Sequence, residues 1–169
     1  MKKITLTEAR EKAGSWHSQG YRWHFHVLFP GCVFNTNKEQ YALVMENRSS
    51  DQTFVVYSDS GFAKVSQEFL KLIYGDNILD KTHSGMGTFS KPTGRAIMKR
   101  CETLIRENIP WHHHMLFPDC IYNTHPGKWN LVLEGGGEDQ TVSELYDEEP
   151  REDFQQMEIA YFEEIDPTF

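Results

Sequence analysis

No stretch of this chain approaches the ~18 consecutive apolar residues of a membrane-spanning helix, so no span is expected. The two lysines of MKKITLTEAR are followed by no apolar run, so the N-terminus does not read as a secretory signal. Basic charge is scarce. Against 25 Asp and Glu there are 17 Lys and Arg, and the net charge over 169 residues is −8. That argues against nucleic acid as a partner, because phosphate binding needs clustered Lys and Arg. Cysteine is also scarce. Three residues are an odd count, unsuited to a disulfide framework, and the expected location is cytoplasmic. Aromatic residues are plentiful at 13%, and the length suits one domain or two halves sharing a core.

The segment WHFHVLFPGCVFN from Trp23 returns as WHHHMLFPDCIYN from Trp111. Trp23/Trp111, His24/His112, His26/His114, Leu28/Leu116, Cys32/Cys120 and Asn35/Asn123 are identical pairs in one constant register. The same register matches Leu43/Leu131, Val44/Val132 and Glu46/Glu134, then Asp-Gln-Thr at Asp51 and Asp139. Two copies predict a duplicated module, because a solenoid needs three or more stacked repeats. Apolar pairs explain themselves as core. Two histidines, a cysteine, an asparagine and a glutamate do not.

Each copy reads as helix, strands, helix. Thr5 to Glu8 is a capping-box pattern, and Ala9, Ala13, Trp16 and His17 recur behind it at helical spacing. Their counterparts Ile97, Cys101, Leu104 and Ile105 form the same stripe, which makes Cys101 a core residue. In the first strand Trp23, Phe25, Val27 and Phe29 alternate with His24, His26 and Leu28. Trp111, Met115 and Phe117 repeat the apolar side, and both sets are expected to be mostly buried. Second strands are predicted at 41–46 and 129–134, third strands at 52–57 and 140–146, and closing helices at 62–74 and 151–164. The expected fold is α+β: an internal duplication of an α-β-β-β-α unit, forming an antiparallel sheet or half-barrel with pseudo-twofold symmetry. Residues 1–76 form the first repeat and 95–169 the second, together one compact domain. Residues 77–94, with His83, are a linker.

His-X-His on a strand puts two imidazoles on one face, about 7 Å apart at a rise of ~3.3 Å per residue. Zinc and iron sites commonly start so, with a further ligand from a neighbouring strand. Here the candidate ligands are His24 and His26, then His112 and His114. Alternation puts Glu46 and Glu134 on the same face if the strands pair. Each carboxylate is a candidate third ligand or general base. Two imidazoles with a carboxylate suit Zn, Fe or Mn as a divalent ion. Cys32 and Cys120 follow tight turns and are candidate catalytic thiols, since an adjacent histidine lowers a thiol's pKa. Their alternative role is as small buried hydrophobes under the turn. Asn35 and Asn123 read as turn caps. The second copy adds Asp119 and His125, which favours it if one half alone is active. His113 replaces Phe25 and reads as a buried, hydrogen-bonded histidine.

The leading expectation is a small metal-dependent enzyme acting on a small-molecule substrate, its reaction class unassigned. One alternative is a non-catalytic acidic binding or inhibitor module. It would meet a basic protein through the acidic C-terminal half, where Asp147-Glu148-Glu149 and Glu152-Asp153 otherwise read as a solvated face. A second alternative is a cysteine/histidine enzyme. The histidines have a plainer role too, as polar residues on the solvent side of a strand.

Overall fold

The computed structural model describes residues 1–79, 95–135 and 141–165, and divides the chain into two compact units, Met1–Ile78 and Leu79–Phe169. Most of the expected linker, His83 included, lies outside the described residues, as do Gly136, Gly137 and Asp139.

The first unit runs β1 (Lys2–Lys3), α1 (Leu6–Ser18), β2 (Trp23–Leu28), β3 (Tyr41–Asn47), β4 (Gln52–Ser58) and α2 (Ala63–Tyr74). Its sheet has the order β1-β4-β3-β2, with β1 parallel to β4 and the other pairs antiparallel. The second unit runs α3 (Arg95–Arg106), β5 (Trp111–Leu116), β6 (Trp129–Gly135), β7 (Val142–Tyr146) and α4 (Arg151–Ile165). Its antiparallel sheet has the order β5-β6-β7. The fold is mixed α+β, with two sheets in place of a single combined one. β1 carries no strand signal of its own, being two lysines. Backbone pairing to β4 makes it a strand, with Ile4 N donating to Val55 O at 2.9 Å just beyond it.

Local sequence accounts for the helices. The Thr5 hydroxyl accepts from Glu8 N at 3.2 Å, and the Glu8 carboxylate accepts from Thr5 N at 2.7 Å, so two amides without helical partners are satisfied. Ala9, Ala13 and Trp16 are buried, but His17 is exposed. α3 repeats this, with Ile97, Cys101 and Leu104 buried and Ile105 exposed. The last member of each stripe follows its neighbour by one residue, about 100° round the helix, and turns off the packed face.

In the first unit Trp23, Leu43, Met45, Phe54 and Val56 line one sheet face and pack on Ala9, Ala13 and Trp16 of α1 and Val65 and Phe69 of α2. Trp23 meets Phe69 edge-on, with ring centroids 5.5 Å apart. Phe25, Val27 and Phe29 are only half-buried, as is Phe117 in the second unit. β2 and β5 are sheet edges, so residues along them have a covering neighbour on one side only. Trp111 and Met115 are buried, and Trp111 packs on Tyr161 of α4.

The opposite face of the first sheet is no solvent face. His24, His26, Leu28, Ala42, Val44, Glu46 and Val55 are all buried. The plain expectation of polar histidines facing water is overturned for His24, His26 and His114, while His112 is partly buried.

Candidate metal centre

The loop after each edge strand has the same construction. In the first unit Cys32 N donates to Phe29 O and Asn35 N to Cys32 O. In the second, Cys120 N donates to Phe117 O and Asn123 N to Cys120 O. Asn35 Nδ2 then donates to Phe29 O at 2.9 Å and Gln40 O at 2.8 Å. Asn123 Nδ2 does the same to Phe117 O and Lys128 O, each at 2.8 Å. One side-chain amide thus ties both ends of the loop and sets where the next strand begins, which fixes the strand register.

That register decides the site. His24 faces Glu46 across the β2–β3 ladder, and His112 faces Glu134 across β5–β6. His24 Nε2 lies 2.6 Å from Glu46 Oε2, and His26 Nε2 lies 3.3 Å from the same oxygen. His112 Nε2 and His114 Nε2 lie 2.5 Å and 3.1 Å from Glu134 Oε2. The paired rings stand 5.0 Å and 5.1 Å apart, both inclined at 74°. Within each cluster all three ligand atoms fall within 4.8 Å of one another, so each could hold a metal ion. Donors on a four-coordinate ion with bonds of about 2.0–2.1 Å stand about 3.3 Å apart. The His26 and His114 contacts are close to that spacing. The His24 and His112 contacts are shorter and have the length of charge-assisted hydrogen bonds.

Burial on its own raises the pKa of the Glu46 carboxyl. Hydrogen bonds from His24 and His26, with their charge, overcome it and hold the group well below the usual carboxylate range. For His26, burial is the dominant cause and lowers the pKa; the Glu46 bond opposes it and His24 adds to it. An anionic Glu46 beside a neutral His26 imidazole is the protonation state that a metal ion requires of these ligands.

Cys32, Cys101 and Cys120 are reduced thiols, and all three are buried rather than displayed on a loop surface. Asp119 and His125 are exposed, and neither belongs to a cluster, so the second half gains no ligands from them. His113 lies on the other face of β5. Its Nε2 is 2.9 Å from Glu158 of α4, and its ring sits among Trp111, Phe154 and Tyr161. Asp153 is buried, not part of a solvated face, and accepts from the Tyr146 hydroxyl at 3.4 Å. Burial raises the Tyr146 pKa, and the charges of Asp153 and Glu144 raise it further.

Sequence reasoning passed over Arg48, whose Nη1 stands 4.0 Å from Glu46 Oε1 and 3.3 Å from Asp51 Oδ1. It also underrated the burial of the histidine face. Ala42 and Val44 beside Glu46, and Val55 on β4, make the inner strands read as near-continuous apolar runs. Such runs mark a sheet covered on both sides.

The fold and site therefore define an α+β chain with two His₂-carboxylate clusters, each set on an antiparallel strand pair. No protein-family model, no curated protein and no solved structure matches the chain. Among the described residues, no helix is long and apolar enough to cross a membrane.

Proposed function

We propose that this chain is a metalloprotein in which each half binds one divalent Zn, Fe or Mn ion. His24, His26 and Glu46 hold one ion, and His112, His114 and Glu134 the other. One observation carries this reading. In each half two imidazole nitrogens converge on a single carboxylate oxygen within the protein interior. Taking polar groups out of water is costly, and an ion accounts for three groups with strong metal-ligand chemistry gathered within 4.8 Å of one another.

Two imidazoles with a carboxylate are a ligand set that catalytic metal sites use. The proposed activity is therefore enzymatic, on a small-molecule substrate. A bound ion would polarise a substrate oxygen and lower the pKa of a bound water towards about 7. The chain's own residues would hold the ion through Nε2 of each imidazole and a carboxylate oxygen; in the metal-free chain each Nε2–H donates to the carboxylate, and that proton must move to Nδ1 for the ion to bind. Cys32 and Cys120 are the candidate soft donors or catalytic thiols. Descent of both centres from one duplicated unit belongs to this proposal, supported by the shared register and the matching ring geometry.

Elemental analysis of protein purified without a histidine tag tests the reading. About two equivalents of zinc, iron or manganese per chain are expected. Glu46→Gln and Glu134→Gln should each lose about one. A chain that carries no stoichiometric metal, and takes up none when offered these ions, overturns it.

A further inference from the structure

Trp111 and His113 share the side of β5 opposite His112 and His114. That side meets α4. His113 Nε2 stands 2.9 Å from Glu158 Oε1, with 3% and 11% of the two side chains exposed. The ring lies among Trp111, Phe154 and Tyr161, with centroids 6.0, 6.0 and 5.7 Å away. Among the described residues, Nδ1 of the same ring is buried without a hydrogen-bond partner. At the register positions of His113 and Glu158 the first half has Phe25 and Leu70. Phe25 meets Phe69 of α2 edge-on at 5.3 Å, and Leu70 is buried. Apolar side chains thus serve in the first half where the second has a polar pair.

We infer that Glu158, acting through His113, is a positioning residue for the second metal centre, which links α4 to an ion held by His112, His114 and Glu134. Stability does not account for the pair. A buried ionic contact is often no more stabilising than apolar residues of similar size, and a ring nitrogen buried unpaired costs free energy. What the pair adds is direction. β5 is a sheet edge, with ladder bonds to β6 on one side only. A hydrogen bond from α4 to residue 113 fixes the backbone between the two metal ligands, and so the aim of both imidazoles. Such linkage is reciprocal: the bond raises ion affinity, and the ion steadies α4. Groups that orient metal ligands from outside change ion affinity by about 10–100-fold. This pair acts through one step of backbone, so about tenfold is expected.

The inference rests on the metal reading, and one experiment separates the two. The pair is replaced in the full chain by the first half's own residues, His113→Phe with Glu158→Leu. Co(II) titration, followed by visible absorption, should give about two equivalents in the unaltered chain. In the double variant one equivalent should bind about tenfold more weakly and the other as before. Urea unfolding of the metal-free double variant should show no loss of stability, a combination that a merely structural pair would not give. Glu158→Gln, whose amide oxygen still accepts from His113, should keep the affinity of the unaltered chain. Hydrogen exchange in the unaltered chain gives a measure free of substitution, and it decides if the double variant is less stable. Filling both centres should slow the amides of α4 more than those of α2. Binding of no Co(II) by the unaltered chain overturns the metal reading and this inference with it. Two equivalents that the double variant holds as tightly as before, or holds less tightly by the same factor, overturn the inference alone. So does Glu158→Gln binding as weakly as the double variant, or an ion-induced slowing in α4 no greater than in α2.

Discussion

Glu46 Oε2 accepts from both His24 and His26, at 2.6 Å and 3.3 Å, with all three side chains inside the protein. The site is thus also part of the core. Removing its members changes stability as well as chemistry, and the two effects need separate measurements.

Replacing His24 and His26 together by Ala should destabilise the metal-free chain strongly. A buried carboxylate held in its ionised form would lose its partners, a change that costs about 3–5 kcal/mol in comparable pairs. Adding Glu46→Leu to that variant should restore part of the loss, because the orphaned charge then disappears. Urea unfolding of the double and triple variants checks this. A triple variant no more stable than the double one contradicts it.

The tryptophans anchor each sheet against its helix. Trp23→Ala and Trp111→Ala should each cost roughly 3–5 kcal/mol, since both are buried against aromatic partners on α2 and α4 respectively. Thermal melting is the measure, and an unchanged melting temperature in either variant would refute the assignment.

Acid should weaken the metal-free protein in two stages. His26 has a folded pKa below its ordinary value, so between the two the unfolded chain binds a proton that the folded chain does not. Its contribution is whole above about pH 6.5 and falls as the pH drops below that. Glu46, also depressed, contributes fully above the ordinary carboxylate value and loses its share only at lower pH. Denaturant midpoints measured from pH 8 to pH 4 should fall monotonically. A flat profile through pH 6.5 in the unaltered chain, or an equal slope in His26→Gln, would count against this account.

Gly135 marks a close approach of α3 to β6. A Cβ built there would come within 2.5 Å of Leu104 Cδ1 and 3.2 Å of its Cγ, and Leu104 is fully buried. Gly135→Ala should therefore destabilise by about 1–3 kcal/mol. Combined with Leu104→Ala, it should cost less than the two single changes added, because the clash partner is gone. Additive losses would show that the helix accommodates the methyl group.

The helices were legible where capping and spacing agree, as at Thr5 with Glu8 and along Ile97, Cys101 and Leu104. The strands were legible from alternation, which also put Glu46 on the histidine side of its sheet. β1 was not, because two lysines carry no pattern and their strand exists only through pairing with β4. Glu158 beside His113 was not either, since nothing in a helix sequence says which carboxylate meets a strand forty-five positions earlier.

Sequence alone determined which residues share a face, because side-chain direction in a strand follows from backbone geometry residue by residue. It determined the shared register of the two copies, and with it the pairing of His24 with His112 and Glu46 with Glu134. Only the tertiary structure decided that Asp119 and His125 stay outside the clusters, that Arg48 backs one carboxylate, and that the histidine face is buried. Burial depends on what covers a surface, and alternation reports direction without reporting cover.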